Sequence, residues 1–403
     1  MFIATIAAML AVAVVDAALT YALRIKVTPD LSGMQRGKVT SFEECADMTL
    51  DQIRREMDDK LLEEHLRYTV KCYRVDYVTL YRDEKVLSSA LLMVPQGTEH
   101  ARYSAYFHGT RLPEEGFNTV FGLMLPSKYK GSGGSQEIVQ CALPLATAGF
   151  CVIMPDYTGY GPTVDRVHPF VYYPELFKNS LDALYAGREV LALLGKDCGK
   201  KIWLSGWSQG GGMSLYAQRE LESGYADDFE VVANSTLAGP FNMSRFLTDM
   251  FAQPDKTFIT MGLYLWGVYV LNHFSSYLER PLDRIFRIPV YGELDAVCTM
   301  PGRCVDFFQD SLRKHVMDGT DLDFVHAMEE DSSSGGWTPR GKVFLHHGKE
   351  DSVVPCFNSV DAYEGLKHSG NVWLKLYEGE GHWSFVPTYI SATIEQFKGT
   401  SGD

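Results

Sequence analysis

Several hallmarks of well-known function classes are missing from this 403-residue chain. Its cysteines and histidines never fall at zinc-ligand spacing, so no metal site is expected. The adjacent His346 and His347 would point to opposite faces of a strand and could not share an ion. There is no basic stripe. With 51 acidic against 37 basic residues the formal net charge is −14, which disfavours nucleic acid and anionic membrane surfaces as partners. No internal repeat marks a solenoid or propeller, and no long low-complexity tract marks a disordered region. Nothing singles out a protein partner.

What is present is an ordinary aliphatic and aromatic content, enough for a sizeable core. The length allows one large α/β domain with an inserted cap, or two domains. Residues 1–18 are nearly uncharged and rich in Ala, Val, Ile and Leu, with small residues around Ala17. They read as a secretory signal, although no Lys or Arg precedes the apolar run. The competing reading is a membrane anchor reaching Leu23 and interrupted by Asp16. Either way the expected location is extracytoplasmic: secreted or periplasmic, or anchored. Eight cysteines suit such a compartment. Cys298 and Cys304 flank a Pro-Gly turn and could close a small disulfide loop, whereas Cys72, Cys141 and Cys151 fall inside expected strands or helices and read as buried thiols.

The most telling segment is Gly206-Trp207-Ser208-Gln209-Gly210, the one G-x-S-x-G of the chain. An apolar run from Lys201 precedes it and a helical pattern, 213–221, follows it. Strand, Gly-Ser-Gly turn and helix form the context of a nucleophile elbow, which lifts a serine hydroxyl out of the backbone. Serine needs a base. His382 lies in a Gly-rich loop after the strand-like 371–377, where its ring can reach over an earlier elbow. The base needs an orienting carboxylate. Asp351 follows the apolar run 343–347 in H-G-x-x-D-x-x-V-P, with Glu350 as its competitor. The order Ser208, Asp351, His382 differs from the orders of chymotrypsin and subtilisin. Oxyanion donors are expected from the backbone N–H of Gln209 and of Thr110, with Gly109 as the alternate, at the end of the apolar strand 103–108. His108 precedes that glycine and reads as structural.

With F-H-G-T at 107–110, P-D-Y-T-G-Y-G at 155–161, G-W-S-Q-G-G at 206–211, the Asp351 loop and G-H-W at 381–383, the chain resembles the α/β-hydrolase superfamily. More narrowly it is similar to secretory lipase-like esterases. The resemblance spans about 70–240 and 340–403. It implies hydrolysis of small-molecule or lipid carboxylic esters with neither metal nor organic cofactor, and leaves the particular ester open. Trp207 departs from the Tyr that many relatives carry.

The expected fold class is α/β: a mostly parallel sheet with helices on both faces and an inserted, mainly helical cap. Residues 19–70 read as an N-terminal extension with a helix over 49–66, opened by a Thr49–Gln52 capping box. An antiparallel pair, 71–81 and 86–94, is joined at 82–85. Further elements are a helix near 136–148, a strand over 150–154, a helix over 173–194 and a strand over 230–237. The core is thus 71–238 and 339–403, and the cap 239–338. Loop 128–135 reads as flexible and 331–336 as the exit hinge of the cap. The apolar stretch 258–271 reads as a cap helix buried on the body, with its aromatic face free to line a substrate pocket or meet a lipid interface. Asn234 and Asn242 match the glycosylation pattern, the first within a buried strand. A peptidase or amidase with the same triad, and a non-catalytic binding protein, remain the alternatives to an esterase.

Overall fold

The computed structural model describes residues 30–98, 101–113, 118 and 122–400. Nine strands form one sheet: β1 (Val39–Met48), β2 (Val70–Tyr81), β3 (Glu84–Pro95), β4 (Arg102–Phe107), β5 (Phe150–Pro155), β6 (Lys201–Trp207), β7 (Glu230–Leu237), β8 (Lys342–Gly348) and β9 (Val372–Tyr377). Their order is β1-β2-β3-β5-β4-β6-β7-β8-β9. The first three strands and the β3–β5 pair are antiparallel, and every pair from β5 to β9 is parallel. This is the expected mostly parallel sheet.

The order explains where a site must form. After β4 the chain moves to one side to lay down β5, then returns to place β6 on the other side of β4. Loops leaving β4 and β6 therefore diverge at their C-terminal ends and open a crevice at the switch point.

The central strands β3 to β7 are buried on both faces and pack two apolar layers. Along β3, Ala90, Leu92 and Val94 enter one layer and Leu91 and Met93 the other, as a period of two demands. The first layer receives α4 (Tyr173–Leu193) and α5 (Gln209–Gly224). The second receives α3 (Leu143–Thr147) and α12 (Val386–Lys398).

The N-terminal part differs from expectation. Strand β1 lies on the sheet edge, mostly exposed, and its polar sequence Val39–Met48 offered no apolar alternation to reveal it. The single helix expected over 49–66 is two short ones, α1 (Leu50–Met57) and α2 (Lys60–Glu63). Asp58 breaks it in the left-handed region at φ 44°, and Asp59 caps the second helix through Leu61 and Leu62 N–H. The Thr49–Gln52 capping box is present. The β2–β3 hairpin turns on Arg82 and Asp83 alone, with Tyr81 opposite Glu84. The segment expected as one helix near 136–148 winds a π-turn over Ile138–Ala142 before α3.

Between β7 and β8 the chain leaves the sheet and forms α6 (Met243–Phe251), α7 (Met261–Phe274), α8 (Glu293–Val297), α9 (Cys304–Phe307), α10 (Asp310–Met317) and α11 (Leu322–Glu330). It departs and returns at one point: Ser333 and Ser334 N–H both donate to Phe241 O, at 2.9 and 3.1 Å. The return falls in the segment expected as the exit hinge, 331–336, and is anchored there by buried Asp331 and Ser333. Loop 128–135 is anchored at buried Tyr129 and Ser135, and a Cβ on Gly131 would sit 2.9 Å from the Ala46 Cβ of β1, while Lys128, Lys130, Ser132 and Gly133 are exposed.

None of the eight cysteines forms a disulfide, so the expected Cys298–Cys304 bridge is absent. Cys304 opens α9 facing the core, whereas Cys298 ends α8 on the surface. Asn234 is buried in β7, and the Asn242 amide nitrogen donates to Asp361 at 2.8 Å, so neither side chain stands free for a glycan. Among the described residues no helix is long and apolar enough to cross a membrane. The signal-like residues 1–18 lie outside the described residues.

Candidate active site

Ser208 sits between β6 and α5 with φ 59° and ψ −124°, a backbone conformation that an L-residue adopts only under strain. The surrounding glycines are compulsory. A Cβ on Gly206 would lie 2.2 Å from Gly210 O, and one on Gly210 would lie 1.9 Å from Phe107 O, at the end of β4. This contact also explains why α5 starts at Gln209 rather than at the expected 213. Glycines 210–212 are poor helix formers, but the helix must press its first turn against β4, β7 and the Tyr173 hydroxyl, where no side chain fits.

His382 and Asp351 meet as the sequence suggests. His382 Nδ1–H donates to Asp351 Oδ2 at 2.6 Å, leaving Nε2 as the basic nitrogen. Both side chains are buried, and the His382 ring lies 5.6 Å from that of Trp207, the residue before Ser208. Glu350, the competing carboxylate, is exposed on the surface. Asp351 Oδ1 accepts from Val353 and Val354 N–H, each at 2.8 Å. Burial pushes the Asp351 carboxyl up, but hydrogen bonds from His347 and His382 outweigh it and hold the group far below the usual carboxylate range. Ser208 Oγ makes no hydrogen bond among the described residues; such contacts commonly tighten only when substrate arrives.

His347 is a contributor that the sequence reading missed. Its Nε2–H donates to Val354 O at 2.8 Å and lies 3.4 Å from Asp351 Oδ2, while Ser359 Oγ–H donates to its Nδ1. His346 points to the other face and meets Tyr377 and Gln396. The alternation of the two side chains was legible; the destination of His347 was not.

Gln209 N–H, at the first turn of α5, and Thr110 N–H, beyond β4, are both unclaimed among the described residues. Gly109, the alternate donor, is already committed: its N–H donates to Glu137 Oε2 at 2.7 Å. Glu137 is buried and also accepts from Tyr106 OH at 3.2 Å and from buried Arg111 at 3.1 Å. This ion pair fixes the loop after β4 and was hidden in the sequence, because surface salt bridges use the same two residue types. His108 is fully buried, its Nδ1–H donates to Gly109 O at 2.6 Å, and its ring packs at a tilt against Tyr157, in the structural role expected for it.

The P-D-Y-T-G-Y-G segment supplies a second support. Asp156 accepts from Ser89 Oγ at 2.6 Å and Ser127 N–H at 2.9 Å, tying β3 to the loop after β4. Tyr157 OH donates to His108 O. Gly159, at φ 90°, touches His168 so closely that a Cβ would lie 2.5 Å from its Cα. His168 Nδ1–H donates to Thr158 O at 2.8 Å, so its Nε2 accepts from the Gln209 side-chain amide at 2.9 Å. Burial lowers the His168 pKa to about 4, keeping the ring neutral.

Ser208, Gln209 and Thr110 open onto one cleft, with about 780 Å³ of empty space that includes its open mouth. Its far wall is apolar and comes from the insertion: Phe246 and Leu247 of α6, with Leu263, Tyr264 and Val268 of α7. The stretch expected as a helix over 258–271 is helical from Met261 to Phe274 and largely buried; the face on the cleft, Leu263, Tyr264, Gly267, Val268 and Leu271, is mostly aliphatic rather than the aromatic face expected.

A strand–Ser–helix elbow with a His–Asp pair beside it, at the switch point of a mostly parallel sheet, defines the α/β-hydrolase class. The chain belongs to the alpha/beta hydrolase family, whose model matches residues 108–389. No curated protein matches it. Among solved structures it is similar to a candidate hydrolase from Legionella pneumophila (22% identity, TM-score 0.77, covering 91% of this chain and 99% of that one). It is also similar to the rice cell wall degrading esterase LipA from Xanthomonas oryzae in a ligand-bound form (18%, TM-score 0.69, 91% and 98%). A third is Candida antarctica lipase A in its closed state (16%, TM-score 0.65, 93% and 86%). At these identities the likeness is one of fold.

Proposed function

We propose that the protein hydrolyses carboxylic esters through Ser208, His382 and Asp351. The observation that carries this is the buried His382–Asp351 hydrogen bond of 2.6 Å beside a serine held in a strained elbow. His382 Nε2 takes the Ser208 proton as Oγ attacks the ester carbonyl. Asp351 holds the ring and stabilises the imidazolium. Gln209 and Thr110 N–H receive the oxyanion, and the alcohol leaves with the proton from His382. Water, deprotonated by the same nitrogen, then releases the acid from Ser208. No metal or organic cofactor enters this scheme.

The 239–338 insertion acts as a cap, and its apolar wall suits an aliphatic acyl or alcohol chain. Contact of this insertion with a lipid interface is part of the same proposal, and Ile259, Tyr291 and Met300 are exposed apolar side chains on it. The sequence of 1–18 supports export. Esterases and lipases among the structural neighbours weigh in the same direction. The test is hydrolysis of p-nitrophenyl esters from acetyl to palmitoyl, with Ser208→Ala as control. Turnover on at least one ester, lost in Ser208→Ala with the fold retained, is expected. Turnover retained in the variant sinks the assignment, and cleavage of aminoacyl amides in preference to all esters would favour an amidase.

A further inference from the structure

One buried carboxyl on the cleft wall has no role in this scheme. Asp331, where the insertion returns to the core, is 2% exposed and lines the same cleft as Ser208. The only hydrogen bond of its carboxyl group among the described residues is from Tyr173 N–H to Oδ1, at 2.6 Å. Among the described residues no cation pairs with it. Arg219, whose charge reaches it, is bound to Ser332 O at 2.6 Å and to Glu220 at 2.9 Å. A buried acid with one hydrogen bond to show for its desolvation is costly unless something else satisfies it. Beside Ser208 stands a second unmatched acceptor. Gln209 Oε1 is buried without a partner, because the amide nitrogen of that side chain is committed to His168.

We propose that Asp331 is a specificity-determining residue that recognises a hydroxyl group on the chain of the ester occupying this cleft. The inference rests on the reading of Ser208 as nucleophile, which places the ester carbonyl at one end of the cleft. The rest of the cleft lining is mostly apolar, Val171, Pro240, Met243 and Met328 among it, and the hydroxyl of Tyr172 is committed to Glu330 at 3.2 Å. A plain aliphatic chain would fill that space and leave the carboxyl unsatisfied. A hydroxyl fits better than a cation. Burial, chiefly, drives the Asp331 carboxyl well above its ordinary range, and a neutral acid both donates and accepts, as a hydroxyl does. Sites built to bond a substrate hydroxyl reject the analogue lacking it, because their own polar group is then left unpaired.

The test is competition on the full-length protein between matched esters. One set pairs methyl octanoate with its 6-, 7- and 8-hydroxy and 8-ammonio forms. The other pairs octyl acetate with 8-hydroxyoctyl acetate. The first set reads a hydroxyl on the acyl side and the second on the alcohol side. The expected result is that at least one hydroxylated ester has a kcat/KM about tenfold or more above its parent. That preference should fall to parity in Asp331→Ala and survive in part in Asp331→Asn, whose amide still donates, accepts and can hold Tyr173 N–H. If Asp331→Ala does not fold, the wild-type comparison and Asp331→Asn decide. Preference for the plain chain in every pair, preference for the ammonio form, or an undiminished hydroxyl preference in Asp331→Ala overturns the proposal. Ser208-dependent hydrolysis of the plain esters would leave the ester-hydrolase reading standing in each case. No Ser208-dependent hydrolysis of any ester would overturn both.

Discussion

Replacing Glu137 by alanine should cost far more than its place on a loop suggests. Its carboxylate receives Gly109 N–H at 2.7 Å, Arg111 at 3.1 Å and Tyr106 OH at 3.2 Å, in a site closed to solvent. Removing one member of a buried ion pair leaves the other charge stranded, at about 3–5 kcal/mol. The orphaned Gly109 N–H adds about 1–3 kcal/mol unless water replaces the carboxylate. The sum is a loss of at least ~4 kcal/mol, read as the shift in urea unfolding free energy followed by tryptophan fluorescence and circular dichroism together. The double variant Glu137→Leu, Arg111→Met removes both charges and should lose less than Glu137→Ala alone. Activity should not return in the double variant. The amide of Gly109 is still unanchored, so the neighbouring Thr110 N–H is displaced, and a lost oxyanion donor costs about 10²–10³ in kcat. A Glu137→Ala change under about 1 kcal/mol, or a double variant equal to the sum of its parts, would refute the argument that this pair is buried and coupled.

Ser208→Gly should stabilise the fold by ~1 kcal/mol while abolishing turnover, since relief of a strained non-glycine backbone (about 1–3 kcal/mol) exceeds the added flexibility of the unfolded chain (about 0.4–1 kcal/mol). A less stable variant would show that the elbow stores no strain. Asp351→Asn should lower kcat about 10⁴-fold with the fold intact, because Asn Oδ1 can still accept from Val353 and Val354 N–H; a drop below tenfold would remove Asp351 from the mechanism. Gly210→Ala should fail to fold or lose activity entirely, its Cβ falling 1.9 Å from Phe107 O, and soluble active protein would contradict the geometry. The pKa of His168 is lowered to about 4 from its ordinary 6.5, so the unfolded chain binds the proton first. Its contribution is full above about pH 6.5 and is lost as pH falls toward 4, roughly 3 kcal/mol over that window. His168→Gln should flatten that part of the stability–pH curve; an unchanged slope would mean that the ring is solvated.

The sheet and elbow were readable because each is written locally. The run Lys201–Trp207, the three glycines after Gln209 and the alternation in β2 and β3 impose their structures with little help from distant residues. Asp351 and His382 were readable because loop position after a buried strand limits what a side chain can reach. Edge strand β1 was not, since one strand of an exposed pair needs no apolar pattern. Nor were Glu137, His347 and Asp331. Each is an ordinary polar residue in sequence, and its meaning lies in burial and in partners 26, 4 and 158 positions away.

The two hydrogen bonds from Ser333 and Ser334 to Phe241 O close the neck of the insertion. Strands β7 and β8 therefore pair, Ala233 beside Lys342, as though joined by a short link. The parts beyond that neck that do not pack on the core, as Trp266 does on Phe170, can lengthen or shorten with little pull on the sheet, because the entropy of closing a loop grows only slowly with its length. The catalytic framework and the cleft wall are thus free to change at different rates. A chimera that grafts a relative's insertion between Phe241 and Ser333 would carry a foreign substrate preference on this chain's own elbow.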